Sequence, residues 1–206
     1  NIPIPIPPIE VQKEIIEQTR RLDDKYETSR MKIEDYRKQI SEIFRSLDVL
    51  GGKTYRLSSN DFEIMLGKRV LNKELTQNGI PVYSANVFEP FGRIDQDILK
   101  DFSKPSILWG IDGDWMVNTL PANEPFYPTD HTGVLRVNNS QINYRYLAHC
   151  LEQEGLHEGF SRNYRASIGQ IEKLSVVIPS IKDQNNAIKE IEDIETKIVE
   201  EQQKIA

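Results

Sequence analysis

The chain repeats one pattern near its start and near its end. The segments 6–12 (IPPIEVQ) and 178–184 (IPSIKDQ) each open a long charged stretch. At one fixed offset, 178 minus 6 or 172 residues, and without gaps, identical residues pair as Ile6/Ile178, Pro7/Pro179, Ile9/Ile181, Gln12/Gln184, Ile16/Ile188, Lys25/Lys197, Lys32/Lys204 and Ile33/Ile205. Solenoid repeats have periods of roughly 20 to 50 residues, far shorter than this one. We therefore predict two copies of a helical arm that bracket one globular insert, and we expect the insert to carry the function.

The first arm contains a long heptad pattern. Apolar or small residues recur every three or four positions, at Ile15, Thr19, Leu22, Tyr26, Ser29, Ile33, Tyr36, Ile40, Ile43 and Leu47. A stripe held over this many heptads predicts a coiled-coil helix over about residues 9–47. Pro7 and Pro8 suit the start of that helix, and Gly51 and Gly52 suit its end.

The second arm has a stripe that matches the first. It consists of isoleucines at positions 188, 191, 194, 198 and 205. A single exposed helix as long as the first arm would not be stable without burying its stripe. Because the chain enters the insert through one arm and leaves it through the other, we expect the two helices to pair antiparallel. The alternative is two ordinary amphipathic helices that pack on one core.

Between the arms the pattern changes to short apolar runs separated by turn residues. Strands are predicted at 55–57, 82–83, 106–109, 133–137 and 175–178, with turns at 78–79, 112–113 and 138–139. A helix is predicted from Ile142 to Glu154, with Tyr146, Leu147 and Leu151 on its apolar face. The fold class is therefore α+β: a globular domain at 51–177 between helical arms at 1–50 and 178–206.

Composition limits the possible functions. The net charge of −6 does not favour DNA binding by charge alone, because phosphate contacts supply most non-specific affinity. Seven arginines nevertheless lie in the insert, and arginine suits forked contacts with guanine or phosphate.

The single cysteine, Cys150, excludes an internal disulfide, and its apolar neighbours predict a buried helix face. No run approaches the roughly 18 apolar residues of a membrane span, so we expect a cytoplasmic protein with no membrane partner.

Five segments of the insert carry a family resemblance. They are 62–69 (FEIMLGKR), 78–87 (NGIPVYSANV), 107–114 (ILWGIDGD), 127–133 (YPTDHTG) and 161–167 (SRNYRAS). In this order, and between two such arms, they resemble the target recognition domain in one half of a type I restriction-modification specificity subunit. The last three also resemble a version of that domain fused to the C-terminus of N6-adenine DNA methyltransferases.

The resemblance implies a function and a set of partners. A full specificity subunit has two such domains, each of which reads one half of a bipartite DNA sequence while the paired helices set the gap. The expected partners are double-stranded DNA and methyltransferase (modification) subunits, with the restriction subunit and self-association through the helices as further candidates. One alternative is the C-terminal recognition region of a single-chain N6-adenine methyltransferase. An unrelated alternative is a coiled-coil adaptor whose insert binds protein.

Candidate DNA-binding residues are polar or cationic side chains in these segments. They are Lys68, Arg69, Tyr83, Ser84, Asn86, Arg93, His131, Arg162, Asn163 and Arg165. Lysine acts as a point charge on phosphate, whereas arginine beside an amide and an aromatic ring suits a base edge. We expect Lys68 to contact phosphate and Arg165 to contact a guanine edge. Trp109 and Trp115 are more typical of a core than of a base-stacking platform.

The sequence offers little for catalysis. Asp112, Asp114, Asp130 and His131 are the kind of residues that hold metal ions. Asp-Gly-Asp is nevertheless a common turn sequence, and an Asp-His pair in a loop more often forms hydrogen bonds. The chain also lacks the tetrapeptide typical of adenine methyltransferases, a phosphate-binding glycine loop and a nuclease pattern. We therefore expect no catalytic residue, no metal site and no cofactor.

Overall fold

The computed structural model describes residues 6–205, in which helices lie at both ends and strands in the middle. The helices are α1 (Ile9–Leu50), α2 (Tyr144–Glu158), α3 (Ile168–Ile171) and α4 (Ile181–Ile205), and a 3₁₀ turn covers Asn72–Glu74. The strands are β1 (Lys53–Arg56), β2 (Phe62–Leu66), β3 (Ile80–Tyr83), β4 (Gly92–Ile94), β5 (Ser106–Gly110), β6 (Val117–Leu120), β7 (Tyr127–Pro128), β8 (Thr132–Val137) and β9 (Ser175–Ile178). The chain forms two compact units. The described parts of Asn1–Ser46 and Lys189–Ala206 form the arm unit, and Leu47–Ile188 forms the insert unit.

The two copies of the repeat begin their helices with the same hydrogen bonds. The Gln12 side-chain amide donates to the Pro7 carbonyl at 2.7 Å, and Gln184 donates in the same way to Pro179 at 2.8 Å. Each glutamine backbone amide also donates, at 3.0 Å, to the carbonyl four residues earlier. The backbone bonds are the first i→i−4 bonds of the two helices, and the side-chain bonds give a partner to the proline carbonyl that precedes each helix. Equivalent residues of the repeat therefore have equivalent local structure.

In the arm unit the two long helices pair antiparallel, as predicted. The buried carboxylate of Glu201 accepts hydrogen bonds from Ser29 Oγ at 2.9 Å and from Lys32 Nζ at 3.2 Å. Later residues of α4, Lys204 and Ile205, line a cavity together with the earlier α1 residues Leu22, Asp23, Lys25 and Tyr26. Residue numbers rise along one helix as they fall along the other, which defines antiparallel pairing.

The heptad stripe of α1 is buried over only part of its length. Ile33 is 7 % exposed, whereas Leu22 is 66 % exposed and Ile15 and Tyr26 are also exposed. Among the described residues of α1, Ser29 is the first buried position of the stripe. Ile205 of α4 lies beside Leu22 and Tyr26 in the cavity described above.

The insert unit contains three small sheets. A four-stranded antiparallel sheet has the order β2-β8-β5-β6, a three-stranded sheet has the order β4-β3-β7, and β1 pairs with β9. The pair β3 and β7 is parallel, and the other pairs are antiparallel. In the larger sheet Leu66 lies opposite Gly133, and Gly110 lies opposite Thr132. The last residues of β2 and β5 and the first residues of β8 therefore lie at the same end of this sheet.

The core of the insert unit surrounds the central strands. Trp109 on β5 is 0 % exposed, which confirms the core role predicted for it. Its ring crosses Gly133 on β8 so closely that a Cβ at that position would lie 2.1 Å from the ring. Tyr83, Leu108, Phe126 and Val134 belong to one cluster of buried hydrophobic residues in this unit.

The helix α2 packs on β5, β6 and β9. It begins two residues later than the predicted Ile142, because the Asn143 side chain caps it by accepting from the Arg145 amide at 2.9 Å. It ends at Gly159, whose φ of 78° continues the chain in the left-handed region. Cys150 on this helix is buried, as predicted, and burial raises the pKa of its thiol to about 12.

Candidate nucleic-acid interface

Four loops of the insert unit meet at this end of the four-stranded sheet. The Lys68 amide donates to the Pro128 carbonyl at 3.1 Å, which joins the loop after β2 to the loop between β7 and β8. The Thr129 amide donates to the Tyr83 carbonyl at 2.9 Å, and the Ile111 amide donates to the His131 carbonyl at 3.0 Å. The loops that follow β2, β3, β5 and β7 are therefore held together by backbone hydrogen bonds.

Glycines allow these loops to approach closely. A Cβ on Gly67 would lie 2.0 Å from the Pro128 carbonyl oxygen, and one on Gly110 would lie 2.3 Å from the Ala85 carbonyl oxygen. These distances are far shorter than van der Waals contact, so larger residues would push the loops apart. Gly67, which precedes Lys68, is therefore required for the close packing of these two loops.

Two threonines that sequence reasoning missed connect the loops through their side chains. Thr129 Oγ1 donates to Ser84 Oγ at 3.2 Å and accepts from the His131 amide at 3.3 Å. Thr132 Oγ1 donates to the Tyr83 carbonyl at 2.9 Å. Both threonines are buried. The sequence signal for both was their position in the segment 127–133, within two residues of the predicted residue His131. Residue type gave no further signal, because threonine is common in strands as well as in sites.

A carboxylate links two of the predicted residues. Asp112, in the turn after β5, contacts His131 Nδ1 through one carboxylate oxygen and Arg165 Nε through the other. His131 Nε2 lies 3.8 Å from Asp130. The hydrogen bond from Arg165 holds the pKa of the Asp112 carboxyl below its usual range, against an opposing effect of burial and with further help from His131. Asp112 is thus ionised at neutral pH.

The backbone of Arg165 is held by the core. The Trp109 indole donates to the carbonyl of the next residue, Ala166, at 2.8 Å, and Ala166 is buried. The Ser167 amide donates to the Arg165 carbonyl at 2.9 Å. A buried tryptophan therefore positions the loop that carries Arg165.

Arg162 and Asn163 lie on a tight turn just before Arg165. The amides of Ser161 and Tyr164 each donate to the carbonyl of the other, at 2.9 and 3.0 Å. The Tyr164 ring packs on Phe160 at 5.4 Å between centroids, and Phe160 packs on Trp115 at 5.2 Å. Trp115 is half-buried, and its indole donates to the Glu152 carbonyl. The aromatic neighbours therefore support the turn, and its two polar side chains are exposed.

Lys68 and Arg69 are exposed cations at the end of β2. Within residues 6–205, neither forms an ion pair or a side-chain hydrogen bond, in contrast to Arg165. A cation without a carboxylate partner keeps its full charge available for an external anion. These two residues have the properties of a phosphate contact.

Other predicted residues are placed differently. Tyr83 is buried, packs edge-on against Phe126 and has a pKa raised by that burial, so its ring belongs to the core rather than to a surface. Asn86 is exposed, and its Oδ1 accepts from the amides of Phe88 and Glu89, which closes the turn of its own loop.

Arg93 does not join the other candidates. Its guanidinium donates to the Gly79 carbonyl at 2.7 Å, at the start of β3, whereas Ser84 follows the end of that strand. At about 3.3 Å per residue, the two ends are roughly 16 Å apart. The structure thus brings together Lys68, Arg69, Ser84, His131 and Arg165, with Arg162 and Asn163 on the turn beside Arg165.

Within the described part of the chain, no group of three or more His, Cys, Asp or Glu side chains is placed to hold a metal ion. The cationic partner of Asp112 is the Arg165 guanidinium. Among the described helices, none is both long and apolar enough to cross a membrane.

The chain belongs to the type I restriction modification DNA specificity domain family, whose sequence model matches residues 61–206. That match covers both the loops described above and α4. A search of curated proteins gave no match.

Solved structures of specificity subunits have a similar fold. The S subunit of the type I restriction-modification system from M. genitalium matches with a TM-score of 0.65 and 17 % identity, over 96 % of this chain and 57 % of that one. The HsdS subunit from Thermoanaerobacter tengcongensis matches with a TM-score of 0.59 and 16 % identity, over 98 % of this chain and 55 % of that one. This chain therefore spans a little over half the length of the structures it resembles.

Proposed function

We propose that this chain is a non-catalytic DNA recognition module of a type I restriction-modification system. In this proposal the insert unit reads one half of a bipartite target sequence. The observation that carries the proposal is that cationic and polar side chains from separate loops converge at one end of the four-stranded sheet. Membership of the specificity family supports the choice of DNA as the ligand.

The interface combines two types of cation. Lys68 and Arg69 are exposed and unpaired within the described residues, which suits phosphate contact. Arg165 is held by a carboxylate, and Ser84 and His131 offer hydrogen-bonding groups beside it. Phosphate contacts provide affinity for any duplex, and contacts to base edges provide sequence preference. This end of the four-stranded sheet therefore has groups suited to phosphate and groups suited to base edges.

The helical segments have a separate role in this proposal. We assign residues 1–50 and 178–206 to a spacer that docks methyltransferase subunits, and residues 51–177 to DNA recognition. The similarity to specificity subunits covers nearly the whole chain, including both arms, which supports this assignment over a region fused to a methyltransferase. We also propose a restriction subunit as a further partner and the cytoplasm as the location of the protein.

The test is titration of the chain with duplex DNA at several salt concentrations. A matched pair of variants, Lys68→Ala and Lys104→Ala, removes one lysine each from the insert unit. Lys104 precedes the start of β5, at the far end of that strand from Asp112, and bonds to Asn138. We expect Lys68→Ala to reduce the slope of log affinity against log salt by about one. Lys104→Ala should leave the slope as in the parent.

Two results would contradict the proposal. A parent chain that shows no salt-dependent DNA binding would remove the assigned function. Equal salt slopes for the parent and Lys68→Ala would instead show that the loop after β2 does not face the phosphates.

A further inference from the structure

Asp112 is an acidic residue at the centre of the surface that we assign to DNA. A carboxylate there repels phosphate and lowers the affinity for every duplex. It is only 27 % exposed, and both of its oxygens have cationic or imidazole partners. A carboxylate that weakens binding can still contribute to recognition if it orients its partners, His131 and Arg165, toward the DNA.

The contact with Arg165 leaves one edge of the guanidinium available. A guanidinium has five N–H donors, one on Nε and two on each terminal nitrogen. Asp112 contacts Nε, and the Arg165 side chain remains 59 % exposed. The edge formed by the two terminal nitrogens is the one that donates two parallel hydrogen bonds to O6 and N7 of guanine.

The anchor also limits the motion of a flexible side chain. A free arginine side chain loses rotamer entropy when it is fixed at a contact. In this protein the Arg165 backbone is held through Trp109 and Ala166, and the side chain is held through Asp112. His131 fixes the other oxygen of the carboxylate, so the carboxylate is itself oriented.

We propose that Asp112 is a positioning residue that orients Arg165 to recognise a guanine in the major groove. The inference rests on the proposed function and adds to the predicted guanine contact of Arg165 the residue that sets its geometry. Asp112 itself makes no contact with DNA in this proposal. It lowers general affinity and raises the preference for guanine at one position.

The test is selection of bound sequences from duplexes with a fully randomised core, followed by sequencing. The parent should enrich a motif that contains at least one guanine position. Arg165→Ala and Asp112→Ala should both lose about tenfold preference for guanine at the same position and keep the preferences elsewhere. Asp112→Ala should bind scrambled duplexes more tightly than the parent, because it removes a negative charge. A purely structural defect would weaken all positions and all duplexes.

Two further variants control for charge and folding. Asp114→Ala removes the same charge from the same loop, and Asp114 forms no hydrogen bond or ion pair among the described residues. It should keep the guanine preference. Asp112→Asn keeps the shape of the side chain and one acceptor for Nε. Its guanine preference should therefore lie between that of the parent and that of Asp112→Ala. The double variant Asp112→Ala with Arg165→Ala should lose no more than Arg165→Ala alone.

The outcomes separate the inference from the proposed function. If the parent enriches no motif, the proposed function and the inference fail together. If the parent enriches a motif but Asp112→Ala keeps its full guanine preference, the inference alone is overturned. The inference is also overturned if the losses in the two single variants fall at different positions or add in the double variant.

Discussion

The arm unit and the insert unit bury their side chains in different ways. In the insert unit, Trp109 and Tyr146 are 0 % exposed and contact neighbours from strands, helices and loops. In the arm unit, each helix buries only one stripe, and the buried positions include the polar residues Ser29 and Glu201 beside Ile33. A core enclosed on all sides distributes stability over many residues, whereas a helix pair depends on a few positions along one seam.

The largest effect is expected at the centre of the insert. Trp109→Ala should lower the free energy of unfolding of the insert unit by about 4 kcal/mol, because it removes a fully buried ring and leaves a cavity. Phe88→Ala is the matched control, since Phe88 is an exposed aromatic residue of the same unit and should change stability by less than about 0.5 kcal/mol. Urea denaturation monitored by far-ultraviolet circular dichroism measures the free energy of unfolding of both variants. Similar midpoints for the two variants would contradict the description of this core.

A smaller effect is expected in the seam of the arms, and it should depend on position. Ile33→Asp should destabilise the helix pair by about 3 kcal/mol, because it replaces a buried isoleucine with a carboxylate. Leu22→Asp, at another position of the same heptad stripe, should have little effect because Leu22 is exposed. Ile40 is half-buried, so Ile40→Asp should fall between them. Thermal melting of helical signal measures all three, and equal losses at positions 22 and 33 would show that the whole stripe is buried.

The smallest effect is a pH dependence in the arm unit. Hydrogen bonds from Lys204, Ser29 and Lys32 lower the pKa of Glu201 from 4.5 to about 2. A carboxyl whose pKa is lowered by folding stabilises the folded state above its ordinary pKa, and this contribution is lost as the pH falls. The stability of the helix pair should therefore decrease between pH 4.5 and about 2.

Glu201→Gln should flatten that dependence in the same pH range, because the amide does not titrate. Glu200→Gln is the control, since Glu200 is the exposed neighbour of Glu201. It should keep the decrease seen in the parent. A parent whose melting temperature is constant over this range would rule out the role of Glu201.

Much of the helical structure could be predicted from local pattern. The start of α1 after two prolines, its end before Gly51 and the antiparallel pairing with α4 follow from periodicity and helix-ending residues. The strands β5, β8 and β9 were also predicted, because each is a run of apolar or β-branched residues between turns.

Several short strands were not predicted because their pairing is not local. β4 has three residues and β7 has two, and β7 pairs in parallel with β3, which lies far away in the sequence. β6 places the polar residues Asn118 and Thr119 between its two buried ends. Such segments form strands because neighbouring strands supply hydrogen-bond partners, and this information is absent from the segment itself.

The amino-acid order was sufficient for the repeat, the helical arms and the set of candidate polar residues, because these depend on spacing and residue type. The tertiary structure alone decided which candidates share a surface. It placed Tyr83 in the core, separated Arg93 from the other residues and joined Asp112 to Arg165. The physical reason is that these relations depend on the register of β2, β5 and β8 and on backbone bonds between their loops, which bring distant residues together.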